Sequence, residues 1–206
     1  MRKVLLFAIL GWFAWTSWSE RPIEHAAGVL VPGFPAQANL SRGEKFQHQE
    51  FSITRRARFN IRARVLSKER YRLGTEAALS PLDLALGWGP MSDEQVVGQM
   101  NISQGNRWYY FKYRPSMSIS QADISLHSGN MHMIPADQQI AKQLKKLRSG
   151  AVISIKGYLV DVDRDDGWQW RTSMRRDDTG AGACEIVWVE ELVVEDSGGA
   201  VQTGNG

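Results

Sequence analysis

The sequence predicts a mainly β protein with a few short helices. It is an α+β chain in which a curved sheet or small OB-like β-barrel follows an apolar N-terminal helix. Three observations carry that expectation. Residues 51–65 alternate apolar and polar side chains, the period of a strand with one wet face. The segment "RWYYFKY" and, in the final third, "AVISIKGYLVDV", "WQWRTSM" and "ACEIVWVEELVV" are rich in aromatic and β-branched residues, with "DRDDG" and "RRDDTGAG" as turns between the last three. One amphipathic helix stands out among them, so the inventory suits a small barrel or strongly curved sheet.

Composition narrows the class. With 43% hydrophobic and 23% charged residues among 206, the chain is neither disordered nor a bundle of membrane helices. A net charge of +3 names no partner by itself, so any binding argument rests on local clusters. The organisation reads as a signal peptide or membrane anchor at 1–19, a Pro/Gly-rich arm at 20–50, one β-rich domain at 51–195 and a disordered tail at 196–206.

Arg2 and Lys3 precede "VLLFAILGWFAWTSW", residues 4–18, which carry no charge. A basic start before an apolar core is the layout of an export signal. As a helix those residues reach about 22 Å against roughly 30 Å of hydrocarbon, which is short for a span. Ser17-Trp18-Ser19 offers a small-x-small cleavage site, whereas Trp12, Trp15 and Trp18 suit interfacial anchoring, so cleaved signal and retained anchor both stand. Either way the bulk of the chain lies outside the inner membrane, in the periplasm of a bacterial envelope. The lone Cys184 excludes an internal disulfide, and its strand context reads as a packed thiol rather than a nucleophile.

Along the domain, Phe51, Ile53, Ala57, Phe59, Ile61, Ala63 and Val65 fall on odd positions, and Ser52, Thr54, Arg56, Arg58, Asn60, Arg62 and Arg64 on even ones; Arg55 breaks the pattern. Ser80 as cap and Pro81 as first residue predict a short helix before Gly87, and Ser92 with Gln95 a capping box opening a second through Met100. In "PADQQIAKQLKKLRSG", Ile140, Leu144 and Leu147 share a face, Asp137 sits in the first turn, cations crowd the last and Gly150 stops the helix. The strand that follows admits a bulge at Gly157.

"LSPLDLALGWGPMSD", "SQGNRWYYFKY", "NMHMIPAD" and "GYLVDVDRDDGWQWRTSMRRDDTGAGACE" resemble a family of small exported bacterial proteins to which no chemistry is assigned. The resemblance covers most of residues 25–195 and implies export, but no catalytic residues.

The candidate sites follow from residue chemistry. Arg56, Arg58, Arg62 and Arg64 form a row of guanidinium forks suited to phosphate or carboxylate, with "RWYYFKY" as possible stacking partners. The competing reading is a solvated face paired with the carboxylates of "DVDRDD" and "VEELVVED". His127 and His132, with Asp137 near in sequence, are metal-ligand types at a spacing that matches no zinc motif, and His132 near Asn130 has the chemistry of a general base. Asp83 and Asp93 form a candidate glycosidase carboxylate pair, although first-turn positions in helices explain both. "DVDRDDGWQW" lacks the flanking helices of a calcium hand and reads as a hairpin turn. No cofactor or metal site is expected.

The resulting expectation is an envelope binding or interaction module without chemistry of its own, taking an anionic polymer, a lipid headgroup or an envelope protein. Export argues against nucleic acid. The alternatives are a cell-wall hydrolase using His127, His132, Asp83 or Asp93, and an accessory subunit of an inner-membrane complex attached through residues 4–18.

Overall fold

The computed structural model describes residues 21–114, 116–175 and 184–195. The apolar N-terminal segment and the tail at 196–206 lie outside them. The described chain is mainly β with a strongly curved sheet and four short α-helices.

Its spine is β3, Phe51–Arg70, which follows two short strands, β1 (Ala36–Asn39) and β2 (Lys45–His48), laid antiparallel along one edge of it. After α1 (Thr75–Leu79), β4 (Leu82–Gly87) pairs with the far end of β3. A 3-10 turn at Gly89–Ser92 and α2 (Glu94–Val97) lead to the hairpin β5 (Asn101–Gly105) and β6 (Trp108–Lys112), a separate two-stranded sheet. Helix α3 (Gln121–Leu126) precedes β7 (Ser128–Pro135), which pairs with β4. Helix α4 (Gln138–Lys146) connects β7 to β8 (Val152–Arg164). A tight turn with Gly167 at φ 90° gives β9 (Gln169–Trp170), and β10 (Glu185–Glu195) runs antiparallel to β8 and parallel to β7. Strand β8 also lies against β3 from Phe51 to Arg64, which curls the sheet without closing it as a barrel, and β1, β2 and β9 lie outside these pairings.

Strand β3 departs from a single alternation at Arg56. Arg55 faces Val160 and Ala57 faces Leu159, so Arg56 is an extra residue, a bulge that switches the inward face. Ala57, Phe59, Ile61, Ala63 and Val65 therefore enter the main core with Leu84, Met131, Ile155 and Val187. Phe51 and Ile53 point to the other side and build a second core with Val160, Val162, Ile186 and Trp188. A further bulge at Leu66 passes the strand to a third cluster, where Met91 and Ile124 meet the hairpin residues Tyr109 and Phe111.

The helix expected from Ser80 and Pro81 is instead strand β4. Leu82, Leu84 and Leu86 enter the main core, β3 and β7 satisfy the backbone on both sides, and the hairpin side covers Ala85. A short apolar run bounded by Pro and Gly fits either periodicity, and the neighbouring strands decide it. The second expected helix begins later than its capping box implies. Asp93 is its cap, accepting from the Gln95 amide at 2.8 Å, whereas the Ser92 hydroxyl turns inward to the Val31 amide at 3.0 Å.

Helix α4 forms where expected, with Asp137 as its cap rather than a first-turn residue: the carboxylate accepts from the Ile140 amide at 2.8 Å. Asp137→Ala is expected to cost about 1 kcal/mol, a melting-temperature fall of roughly 2–4 °C. An unchanged calorimetric transition would show that the cap contributes nothing.

Candidate functional site

Two constellations collect the arginines, Asp83 and His132, and both lie on the outside of the curved sheet. The first is the arginine row. Arg58 and Arg62 leave β3 opposite Tyr158 and Ser154 of β8, on the face away from the main core, and Arg64 leaves it opposite Val152. Carboxylates meet most of the row. Arg56 lies 3.3 Å from Asp161. Arg62 grips Glu195 through two nitrogens at 2.6 Å each and donates to the Leu30 carbonyl at 2.8 Å. That fork holds the Glu195 carboxyl below, and the Arg62 guanidinium above, their ordinary values, the shared hydrogen bond being the main cause in each case.

Arg64 departs from the exposed row. It is only 4% exposed, because α2 and the turn before it pack over the strand end. There it meets Glu94 at 2.5 Å and the Ser92 carbonyl at 3.3 Å. Arg58 differs in the opposite sense. It has no carboxylate partner among the described residues, and its guanidinium stands 5.6 Å from the centre of the Tyr158 ring. Arg55 lies 4.3 Å from the same ring and binds Glu44 and Glu190.

The second constellation lies behind the hairpin. Asp83 of β4 and His132 of β7 are register partners, so both point to the outer face of the sheet. Asp83 is fully buried, and its Oδ1 lies 3.0 Å from His132 Nδ1 in a contact that is not aligned as a hydrogen bond. The aligned partner of that same oxygen is Arg107 Nη1 at 2.7 Å. Arg107 sits at the tip of the β5–β6 hairpin, where Asn106 and Arg107 take φ of 52° and 68°. Its guanidinium lies 3.9 Å from the centre of the Tyr71 ring and 5.7 Å from that of Trp170, with Glu76 at 3.4 Å. The Tyr71 hydroxyl accepts from the Arg107 amide at 2.9 Å. His132 is covered by the Trp170 ring at 4.8 Å between centres. Asn130, next along the outer face of β7, accepts from Gln104 at 2.6 Å and donates to the Arg107 carbonyl at 3.1 Å, and Cys184 lies 3.8 Å from it.

The structure thus unites Asp83 and His132 and leaves their companions elsewhere. Asp93 caps α2 and also accepts from the Gly28 amide at 2.9 Å. His127 closes α3, with Nδ1 2.8 Å from the Asp123 carbonyl and its ring against Phe34. The two aspartates therefore share no partner, which is not the arrangement of a carboxylate pair acting on one bond. Asp137 is taken up by its helix. No group of three or more His, Cys, Asp or Glu side chains suited to a metal occurs among the described residues.

Sequence reasoning placed Asn130 beside His132 but missed Arg107, Tyr71, Glu76 and Trp170 as their neighbours. The turn was signalled by Gly105-Asn106, but nothing local shows that the tip folds back over β4. Arg107 covers the buried Asp83 and His132, and its hydrogen bond to Asp83 ties the hairpin tip to β4. No family model, curated protein or solved structure matches the chain. Among the described residues no helix is long and apolar enough to cross a membrane.

Proposed function

We propose that the chain is an exported envelope protein acting as a non-catalytic binding module of OB-like build, with an anionic ligand or partner. Five strands in the order β3-β4-β7-β10-β8, with β8 returning to β3 and α4 between the third and fourth in sequence, support a partly open OB-like barrel. Such modules commonly bind on the face of their second and third strands. Here that face is β4 and β7, and the hairpin with Arg107 covers it. The observation that carries the reading is what remains open. The outer face of β3 and β8 bears Arg58, which has no carboxylate partner among the described residues, beside the half-exposed Arg56 and Arg62. A guanidinium next to an aromatic ring takes an anionic group without first breaking an ion pair. The export part rests on Arg2, Lys3 and the uncharged residues 4–18.

Immobilised dextran sulfate is a suitable probe. Arg58→Gln is expected to weaken retention about two- to fivefold, the worth of one exposed charge contact, and to flatten the salt dependence with little change in melting temperature. Arg62→Gln is expected to lower the melting temperature as well, because it strands Glu195. Equal elution of the Arg58→Gln and parent chains across a salt gradient would overturn the reading.

A further inference from the structure

We propose that the end of the domain around Ile23 and the C-terminus of α4 rests on an anionic phospholipid surface. With residues 4–18 retained in a bilayer, as the export reading allows, the geometry leaves little slack. The Ile23 amide donates to the Ser149 carbonyl at 2.8 Å, and His25 Nε2 lies 2.7 Å from the Gly150 carbonyl. The chain is therefore pinned just beyond α4, and only residues 19–22 separate that point from the apolar segment. Four extended residues span about 14 Å, so this end of the domain cannot stand far from the headgroups.

Its chemistry matches that position. Lys145 and Lys146 lie in the last turn of α4, Arg148 follows its cap Leu147, and Lys68 and Arg70 reach across from β3 to the same helix end, Lys68 donating to the Leu147 carbonyl and Arg70 to that of Lys145. Cations at a helix C-terminus complement its dipole, but five from two elements exceed what one helix end calls for. Beside them β10 runs past the core, leaving Val194 45% exposed on the cavity side, whereas Val193 turns to the opposite face in register with Ser154 and Arg62. A cavity of about 300 Å³ opens there, lined by Ile23, Leu147, Ala151 and Val194, with Lys146 and Arg148 beside them. Its one carboxylate, Glu195, is already engaged by Arg62. The exposed Val194 and half-buried Ile23, bordered by lysine and arginine, have the composition of a surface that enters the headgroup layer while its cations meet lipid phosphate.

The test uses the full chain in lipid nanodiscs, made either with phosphatidylglycerol or with phosphatidylcholine alone. A Cys184→Ser background carries Val194→Cys or, as a control on the hairpin's open face, Ser103→Cys, each labelled with an environment-sensitive fluorophore. In phosphatidylglycerol discs the probe at 194 is expected to shift to the blue and to become about threefold less accessible to neutral aqueous acrylamide, while that at 103 stays in water. The protection is expected to vanish near 1 M salt, where screening reaches about 3 Å, and in a Lys146→Gln/Arg148→Gln variant. Arg58→Gln should leave it unchanged, which separates this surface from the proposed ligand face. A 194 probe equally accessible in both discs, protection that survives the double substitution, or protection at 103 instead would each overturn the proposal. Failure of the chain to attach to either disc would overturn the membrane reading of residues 4–18 and the docking face with it.

Discussion

Arg107→Ala is expected to remove about 3–5 kcal/mol of stability, lowering the melting temperature by roughly 6 to 20 °C, because it breaks a buried ion pair from one side only. Asp83 has no exposed surface, and the Arg107 guanidinium supplies its aligned hydrogen bond at 2.7 Å. Without it the carboxylate keeps only the unaligned His132 contact, and its second oxygen already has no hydrogen-bond partner among the described residues. The desolvation cost of that charge is then uncompensated. Arg107→Lys keeps a charge but loses the planar stack on Tyr71, so it should fall between parent and alanine. Asp83→Leu combined with Arg107→Met should recover much of the loss, since an apolar pair carries no buried charge. Thermal unfolding of the four chains decides the matter. An Arg107→Ala chain melting with the parent would mean that water or a rearranged side chain reaches Asp83, and the closed cluster would lose its structural role.

The same cluster shows why part of the site was legible in the sequence and part was not. Asp83 and His132 attract notice as residue types, and each lies in a run whose strand partners bring them together across β4 and β7. Arg107 lies outside both runs, and only the fold-back of a hairpin over the outer face makes it their neighbour. In β3 the alternation was plain, yet the one residue that broke it, Arg55, marked a bulge at Arg56 that sends Phe51 and Ile53 into a different core. The fate of Arg64 was invisible locally, because α2 comes from thirty residues further along the chain to cover it. The helix misread at Ser80-Pro81 is the general case: Leu82 to Leu86 fit a period of two as well as a capped turn, and only strands on both sides settle it. Helix α4 was read correctly because its cap, apolar face and basic end all lie within one short segment.

Gly157→Ala is expected to be the most damaging single-methyl addition in the sheet, at about 3 kcal/mol or more, a fall of roughly 6–12 °C. The bulge anticipated at this glycine lies across from it, on β10: Val189 faces Gly157 and Glu191 faces Lys156, leaving Glu190 as the extra residue. The bulge drives the β10 backbone onto β8. A Cβ built on Gly157 would lie 1.8 Å from the Trp188 carbonyl oxygen, 3.0 Å from its carbon and 3.4 Å from the Glu190 nitrogen. All three are backbone atoms, so no side chain can rotate to make room, and the strands themselves must part. Parting them strains the ladder through Tyr158 and Trp188 and loosens the second core, to which both contribute. Gly105→Ala is the matched control, since a Cβ there meets nothing within 4 Å and the backbone is not left-handed. Amide hydrogen exchange separates this local clash from a general loss of stability. Protection should collapse first at Tyr158 and Trp188 in Gly157→Ala while α4 keeps its own. If the two alanine variants melt alike, β10 can slide past the bulge, and its register is set by the core residues Val187, Val189 and Leu192 rather than by the missing side chain at Gly157.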